Sequence, residues 1–236
     1  VTYLAIDTVS DRLSLALGTS ALDAAATVVE GARRHAAALL PAVDALLAQR
    51  GAGRADIRGI LVADGPGSFT GLRVAAAVAK AMVATGAAEL RAAPSLMARA
   101  ARAARPGQVV AAVSDALRGE VFGGAWLVLD HRIESLVPLA ARMPDVLRGL
   151  VPHPDLVVGE LPPARRVPFE GWAADMRLDQ VADAGALLAL LAFPGALERV
   201  DVPFAWEPQY GRPAEAQARW EAEHRRPLPH SPGSHG

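Results

Sequence analysis

The apolar run at residues 3–6 predicts a strand that ends at Asp7. After a polar turn at Ser10-Asp11, Leu13-Ser14-Leu15-Ala16-Leu17 alternates with a period of two, which predicts the return strand of a hairpin. Residues 24–29 offer a third antiparallel strand. Between residues 33 and 49 the period changes. Leu39, Leu40, Val43, Leu46 and Leu47 recur at helical spacing, so an amphipathic helix is expected, with Pro41 as the place for a kink and Gly51 and Gly53 as its stop. Residues 57–63 read as a buried strand, and an Ala-rich helix follows from Thr70 to Ala84. Another helix is expected at residues 95–104, just after Pro94.

Pro106-Gly107 punctuates the chain. Beyond it, residues 109–113 and 121–129 form a second predicted hairpin, and Asp115 stands near its turn as Asp7 stands near the first. This echo predicts two related lobes, residues 1–106 and a smaller one over 107–215. Residues 156–159 read as another short strand and 182–193 as the last helix. Residues 216–236 form a tail, rich in Pro, His, Ser and Gly from Pro227 onward, that lacks the apolar content to fold and is expected to be disordered.

Composition narrows the function classes. Of 236 residues, 52% are hydrophobic, so a substantial core is expected. The chain has no cysteine, which removes disulfides, Cys metal sites and Cys nucleophiles and fits a reducing cytosol. The first residues carry no basic segment and reach Asp7 too soon for a signal peptide, and no apolar run approaches the roughly 20 residues that span a bilayer. A cytoplasmic protein without membrane contact is therefore expected. The formal net charge of -1 argues against a chain that grips nucleic acid alone. Arginines cluster at Arg99, Arg102 and Arg105 and again at Arg219, Arg225 and Arg226; these read as a solvated helix face and a loose tail.

The segment Gly65-Pro66-Gly67-Ser68-Phe69-Thr70-Gly71-Leu72-Arg73 sits between a predicted strand and a predicted helix. Such a turn aims backbone N–H groups at the helix N-terminus, with Ser68 and Thr70 as N-cap candidates. It reads either as an anion cradle or as a plain tight turn. It is not a P-loop, since no Gly-Lys-Ser/Thr follows the glycines, and Pro66 occupies the place where a nucleophile elbow needs glycine. Asp7 and Asp115 read either as carboxylates facing a cleft between lobes or as turn residues bonding their own backbone. His35 has Leu39, not a second histidine, four residues on. The histidines do not supply the three or four convergent ligands of a zinc site, and Ser68 has no visible His and Asp partners. No catalytic residue and no metal ligand is assigned.

In order along the chain stand Leu4-Ala5-Ile6-Asp7-Thr8, His35 before Leu39-Leu40-Pro41, the Gly65 to Arg73 string, Ala79-Lys80, Asp115-Ala116-Leu117-Arg118-Gly119-Glu120-Val121-Phe122, and Tyr210-Gly211-Arg212. Together they resemble the TsaB (YeaZ) family, the bacterial accessory proteins of tRNA threonylcarbamoyladenosine synthesis, over about residues 1–215. The resemblance implies an α/β, actin-like (ASKHA, ribonuclease H-like) fold of two lobes with a reduced second lobe. It implies relatedness to the catalytic subunit TsaD and to proteins labelled M22 glycoproteases. TsaD carries a His-x-x-x-His metal pair where this chain has His35 and Leu39.

The implied role is a non-catalytic scaffold or activator that pairs with TsaD, alongside TsaE, in threonylcarbamoyl transfer to tRNA adenosine 37. A homodimer is implied when the chain is alone, and tRNA is met through the complex. No cofactor is held by the chain alone, with ATP or ADP implied only at the partner interface. The alternative is an independent ATP-binding actin-like enzyme or an M22-type glycoprotease. Contacts to a partner or a shared nucleotide are expected at Asp7, Thr8, His35, Gly67, Ser68, Phe69, Thr70, Gly71, Arg73, Ala79, Lys80, Asp115, Arg118 and Glu120. Ala76, Ala79 and Val83 form a small-residue stripe that either receives a partner helix or packs on the lobe's own sheet. Two departures stand out: Leu117 replaces an arginine usual in the family, and the turn Asp7-Thr8-Val9-Ser10 lacks the glycine of phosphate-binding relatives.

Overall fold

The computed structural model describes residues 2–31, 35–86, 88–181, 183–211 and 224. In chain order the first half contains β1 (Thr2–Asp7), β2 (Arg12–Gly18), β3 (Ala25–Glu30), α1 (His35–Gln49), β4 (Ile57–Ala63), α2 (Phe69–Thr85), β5 (Glu89–Ala93) and α3 (Ser95–Ala103). The second half contains β6 (Gln108–Asp115), β7 (Val121–Val128), β8 (Ile133–Arg142), α4 (Pro144–Leu150), β9 (Leu156–Glu160), β10 (Asp175–Arg177), α5 (Gly185–Ala189) and β11 (Glu198–Arg199). The expected helix start at Arg33, residue Ala182, and the tail arginines Arg219, Arg225 and Arg226 lie outside the described residues.

The strands form two sheets of the same plan. In the first the order is β11-β5-β4-β1-β2-β3, and in the second it is β10-β9-β6-β7-β8. Each has three antiparallel strands (β1-β2-β3; β6-β7-β8) continued by two parallel ones (β4-β5; β9-β10). The faint echo of the two hairpins in the sequence is thus a repeat of the whole sheet. The helices differ. The first sheet carries α1 and α2, of 15 and 17 residues, whereas the matching connections of the second shrink to the seven-residue α4 and two 3-10 turns, Pro163–Arg165 and Val167–Phe169.

Period-two alternation sorts the side chains into layers. Leu4, Ile6, Leu13, Leu15, Ile60 and Val62 face α1 and α2, where Leu39, Val43, Leu46, Ala75 and Ala79 meet them. Ala5, Ala16, Leu61 and Ala63 face the opposite way, onto Ala98 and Ala101 of α3 and Ala186 and Leu187 of α5. Helix α3 also buries Leu96 and Ala100 against Val110, Ala112, Trp126 and Val158 of the second sheet. It therefore lies between the two sheets and touches both lobes. On the outer face of the second sheet, Ala111, Val113, Val121 and Val157 pack with Leu147, Phe169 and Trp172.

The expected helix at residues 182–193 is shorter than its pattern. α5 ends at Ala189 and continues as a 3-10 turn, Leu190–Ala192. Helix α1 runs through Pro41. Among the described residues, no helix is long and apolar enough to cross a membrane.

Candidate functional site

The glycine loop joins β4 to α2 and is pressed between two other parts of the chain. A Cβ on Gly65 would lie 2.1 Å from the Gln209 carbonyl oxygen, one on Gly67 2.3 Å from that of Val9, and one on Gly71 2.2 Å from that of Thr8. Gly65 also has φ of +124°. The glycines are needed because backbone comes within contact distance on three sides. Ser68 N–H donates to the Val9 carbonyl at 2.8 Å, and Ser68 caps α2 by accepting from Gly71 N–H at 3.2 Å. Of the two readings open in the sequence, this geometry fits the packed turn: the carbonyl oxygens of Thr8, Val9 and Gln209 stand against the loop, and their partial negative charge opposes an anion there.

Behind the loop is a buried polar group of residues. Asp7 accepts from Val9 N–H at 3.0 Å and from the Ser95 hydroxyl at 2.9 Å. Ser95 N–H in turn donates to the Gly65 carbonyl at 3.1 Å. Burial raises the Asp7 pKa, opposed chiefly by the charge of Arg99. Thr8 is fully buried and its hydroxyl has no partner among the described residues. In the second lobe, Asp115 accepts from Leu117 N–H at 3.0 Å and pairs with Arg165 at 3.4 Å. Both aspartates therefore make the turn bonds that their positions predict.

A cleft of about 410 Å³ opens between the lobes, bordered by Val9, Ser10, Pro66 and Gly67 from the first and by Ser114, Asp115, Glu160, Arg166 and Asp179 from the second, with Arg99 between them. Its charged lining is two arginines, Arg99 and Arg166, against three acids, Asp115, Glu160 and Asp179. Asp115 borders the cleft; Asp7 lies behind it, reached through Ser95 and the loop. Among the described residues no three His, Asp or Glu side chains converge as metal ligands.

The family model for TsaD, tRNA N6-adenosine threonylcarbamoyltransferase, matches residues 29–157. The tRNA threonylcarbamoyladenosine biosynthesis protein TsaB of Bacillus subtilis is 31% identical over 138 residues, which are 58% of this chain and 60% of that protein. Its namesake in Haemophilus influenzae is 29% identical over 208 residues, 86% of this chain and 84% of that one. The solved structure of YeaZ from Pseudomonas aeruginosa superposes with a TM-score of 0.73 at 26% identity, covering 89% of this chain and 100% of its own. The chain belongs to the TsaB (YeaZ) family. The repeated sheets described above are the actin-like, ASKHA architecture that the family resemblance implies.

The residues that the TsaB resemblance singles out fall in three places. Asp7, Thr8, Gly67, Ser68 and Gly71 belong to the packed loop. Asp115, Arg118 and Glu120 surround the β6–β7 turn, where Leu117 and Arg118 both have positive φ, 63° and 49°. Leu117 at this turn is exposed.

The third place is the outer face of α1 and α2, which lie side by side. Phe69 and Thr70 start α2 at the surface, and the Arg73 guanidinium sits 5.4 Å from the Phe69 ring centre. Lys80 is held by Glu207 at 3.0 Å, and Tyr210 donates to the other Glu207 oxygen at 3.0 Å. The side chain of His35 lies outside the described residues.

Ala79 does not reach this face. It is fully buried against the first sheet, and Ala76 is buried with it. The small residues that α2 exposes are Ala77, Ala81 and Ala84, one helical position away from the expected stripe, and α1 exposes Ala37, Leu40, Ala45 and Ala48. A second correction concerns Arg99. It was expected on a solvated helix face, yet it is only 6% exposed, because α3 is covered by a sheet on each side. The functional neighbourhood that sequence reasoning passed over consists of Ser95, Arg99, Arg166 and Glu207. Their only signal was position: Ser95 and Arg99 are four apart on one helix.

Proposed function

We propose that this chain is a non-catalytic scaffold and activator subunit of the bacterial machinery that makes threonylcarbamoyladenosine at tRNA position 37, and that it pairs with a TsaD relative. The observation that carries the reading is the state of the cleft. Where actin-like enzymes hold nucleotide phosphates, this chain has a glycine loop filled by its own carbonyls and a lining with more acids than arginines. With Asp115 paired to Arg165, Arg99 and Arg166 face Glu160 and Asp179, so a polyphosphate would meet no net positive charge there. The names of the relatives, tRNA threonylcarbamoyladenosine biosynthesis proteins, supply the pathway.

The pairing surface in this reading is the α1–α2 face. Exposed alanines at 77, 81 and 84 let a partner helix approach closely, and Leu40 adds an apolar contact. The same face serves a homodimer when TsaD is absent, so the two assemblies compete. ATP or ADP is shared with the partner rather than held by this chain, a TsaE relative joins the assembly, tRNA is met through the complex, and the complex works in the cytoplasm.

Reconstitution of the modification with cognate TsaD and TsaE, with and without this chain, tests the role; full-rate modification without it overturns the reading. Ala77→Arg and Ala81→Arg test the surface, since both positions are exposed and tolerate a long side chain without loss of fold. Each should weaken both the homodimer and the TsaD pair in sedimentation velocity. Unchanged assembly in both variants rules the face out.

A further inference from the structure

Arg99 is a buried cation that lacks a close counter-charge. Among the described residues no carboxylate forms a salt bridge with it. Its Nη1 donates to the Gln180 carbonyl at 3.2 Å, and its Nε is buried with no acceptor among the described residues. Asp7, Glu160 and Asp183 act on it only at longer range, while burial pulls its pKa down. A buried ionised group and a buried unmet donor each call for a partner.

Two cavities share Arg99 as a wall. In the inter-lobe cleft acids and arginines balance once the Arg165 bound to Asp115 is counted. The other, of about 420 Å³ and partly open to solvent, lies between α3, the end of β10 with the segment after it, and α5, with Arg99, Arg102, Arg177, Gln180 and Asp183 in its lining. Three arginines line it against Asp183, and even with the Asp175 that pairs with Arg177 at its edge the balance is one positive charge, carried by the buried Arg99. We propose that this second cavity binds a phosphate group, free or as the head of a small phosphomonoester, on Arg99, Arg102 and Arg177.

The chemistry of the three side chains suits that ligand. Guanidinium forks match phosphate oxygens two at a time, and the buried Arg99 supplies an interaction that water does not screen. Arg177 is paired with Asp175 at an exposed site, so redirecting it to a ligand costs little. Arg102 pairs with Asp183 at 3.0 Å, and Asp183 also accepts from Gly185 N–H at 2.8 Å, so the carboxylate keeps a partner when Arg102 turns inward. The volume leaves room beside a phosphate for a sugar-sized body. The site lies away from the α1–α2 face and does not depend on the pairing proposed above.

Calorimetry and thermal unfolding of the full chain test this, with sodium phosphate compared with sodium chloride at matched ionic strength. Phosphate should bind saturably and raise the unfolding midpoint, and chloride should not. Arg177→Gln and Arg102→Gln, both partly exposed, should keep the fold and weaken phosphate binding at least tenfold. Arg132→Gln, at a remote exposed pair, should leave it unchanged. Arg99→Met should abolish the phosphate response, read against the variant's own midpoint in chloride, which should fall because the buried Asp7 loses the charge that opposes its burial. Tighter binding of ribose 5-phosphate than of phosphate assigns the ligand as a phosphomonoester; the reverse order assigns free phosphate. The proposal is overturned by no saturable response to either probe, by binding in the Arg177 and Arg102 variants equal to that of the unaltered chain, or by a phosphate response that survives in Arg99→Met.

Discussion

The rings of Phe69 and Tyr210 lie 4.6 Å apart at a tilt of 43°, which ties the start of α2 to a segment 141 positions further along the chain (210 − 69). The Tyr210 hydroxyl completes the tie through Glu207, which also holds Lys80. Burial, then the bond to Glu207, pushes the Tyr210 pKa up to about 12. Burial works to raise the Glu207 pKa, and the bonds from Lys80 and Tyr210 outweigh it, so it sits below its ordinary value. Tyr210→Phe keeps the ring pair and should cost no more than about 1 kcal/mol in urea unfolding. Tyr210→Ala removes the ring pair as well and should cost about 1–2 kcal/mol. Equal losses in the two variants would place the energy in the hydroxyl instead.

Ser95 is predicted to matter more than an ordinary helix-start serine. Ser95→Ala strips the Asp7 carboxylate of its 2.9 Å hydroxyl donor in a buried setting. The expected loss is on the order of 1–3 kcal/mol, read from the shift of the denaturation midpoint at constant slope. A neutral substitution would mean that water replaces the hydroxyl.

Asp64 gives a pH signature. It is buried at the end of β4, and desolvation, with the charge of Glu198, pushes its pKa up to about 7 from an ordinary 3.8. The folded chain therefore holds this proton more tightly than the unfolded chain does. Stability from this group is present below pH 4 or so, falls as pH rises toward about 7, and is flat above that. Asp64→Asn should flatten this part of the profile and be the more stable form at pH 8, by an amount on the order of a few kcal/mol. A parallel pH profile for the two proteins would contradict the assignment.

Two glycines should respond oppositely to alanine. Gly71→Ala drives a methyl group to 2.2 Å from the Thr8 carbonyl oxygen and should cost about 1–3 kcal/mol. Gly149→Ala, inside α4 where the added methyl group meets no other part of the chain within 4 Å, should gain roughly 0.5–1 kcal/mol. Thermal midpoints of the pair check both signs.

Much of the first lobe was readable because its strands alternate cleanly. Leu13, Leu15 and Leu17 face one layer and Ala16 the other, and β4 has the bounds that its apolar run predicts. The unread elements lack such a signal. β8 is an edge strand with Pro138 inside it, and of its hydrophobic residues only Val137 is buried. β5, with sequence Glu-Leu-Arg-Ala-Ala, has too few β-branched residues to separate it from a helix, and β10 and β11 are three and two residues long. At the site, the glycine loop, both turns and the Ser68 cap were legible because they are local. The burial of Arg99 and Ala79 was not, because it is decided by which sheets close over α3 and α2. That depends on contacts made far along the chain.

Strand β11 carries a consequence for how the protein comes into being. It pairs Glu198 with Ala92 and Arg199 with Arg91 at the edge of the first sheet, and α5 covers that sheet's inner face. The strands of the second sheet all lie between Gln108 and Arg177. As the chain leaves the ribosome, the lobe that is begun first is therefore the one completed last. The second sheet can close while the first has only α3 on its inner face, so synthesis leaves the older half partly covered until α5 and β11 arrive.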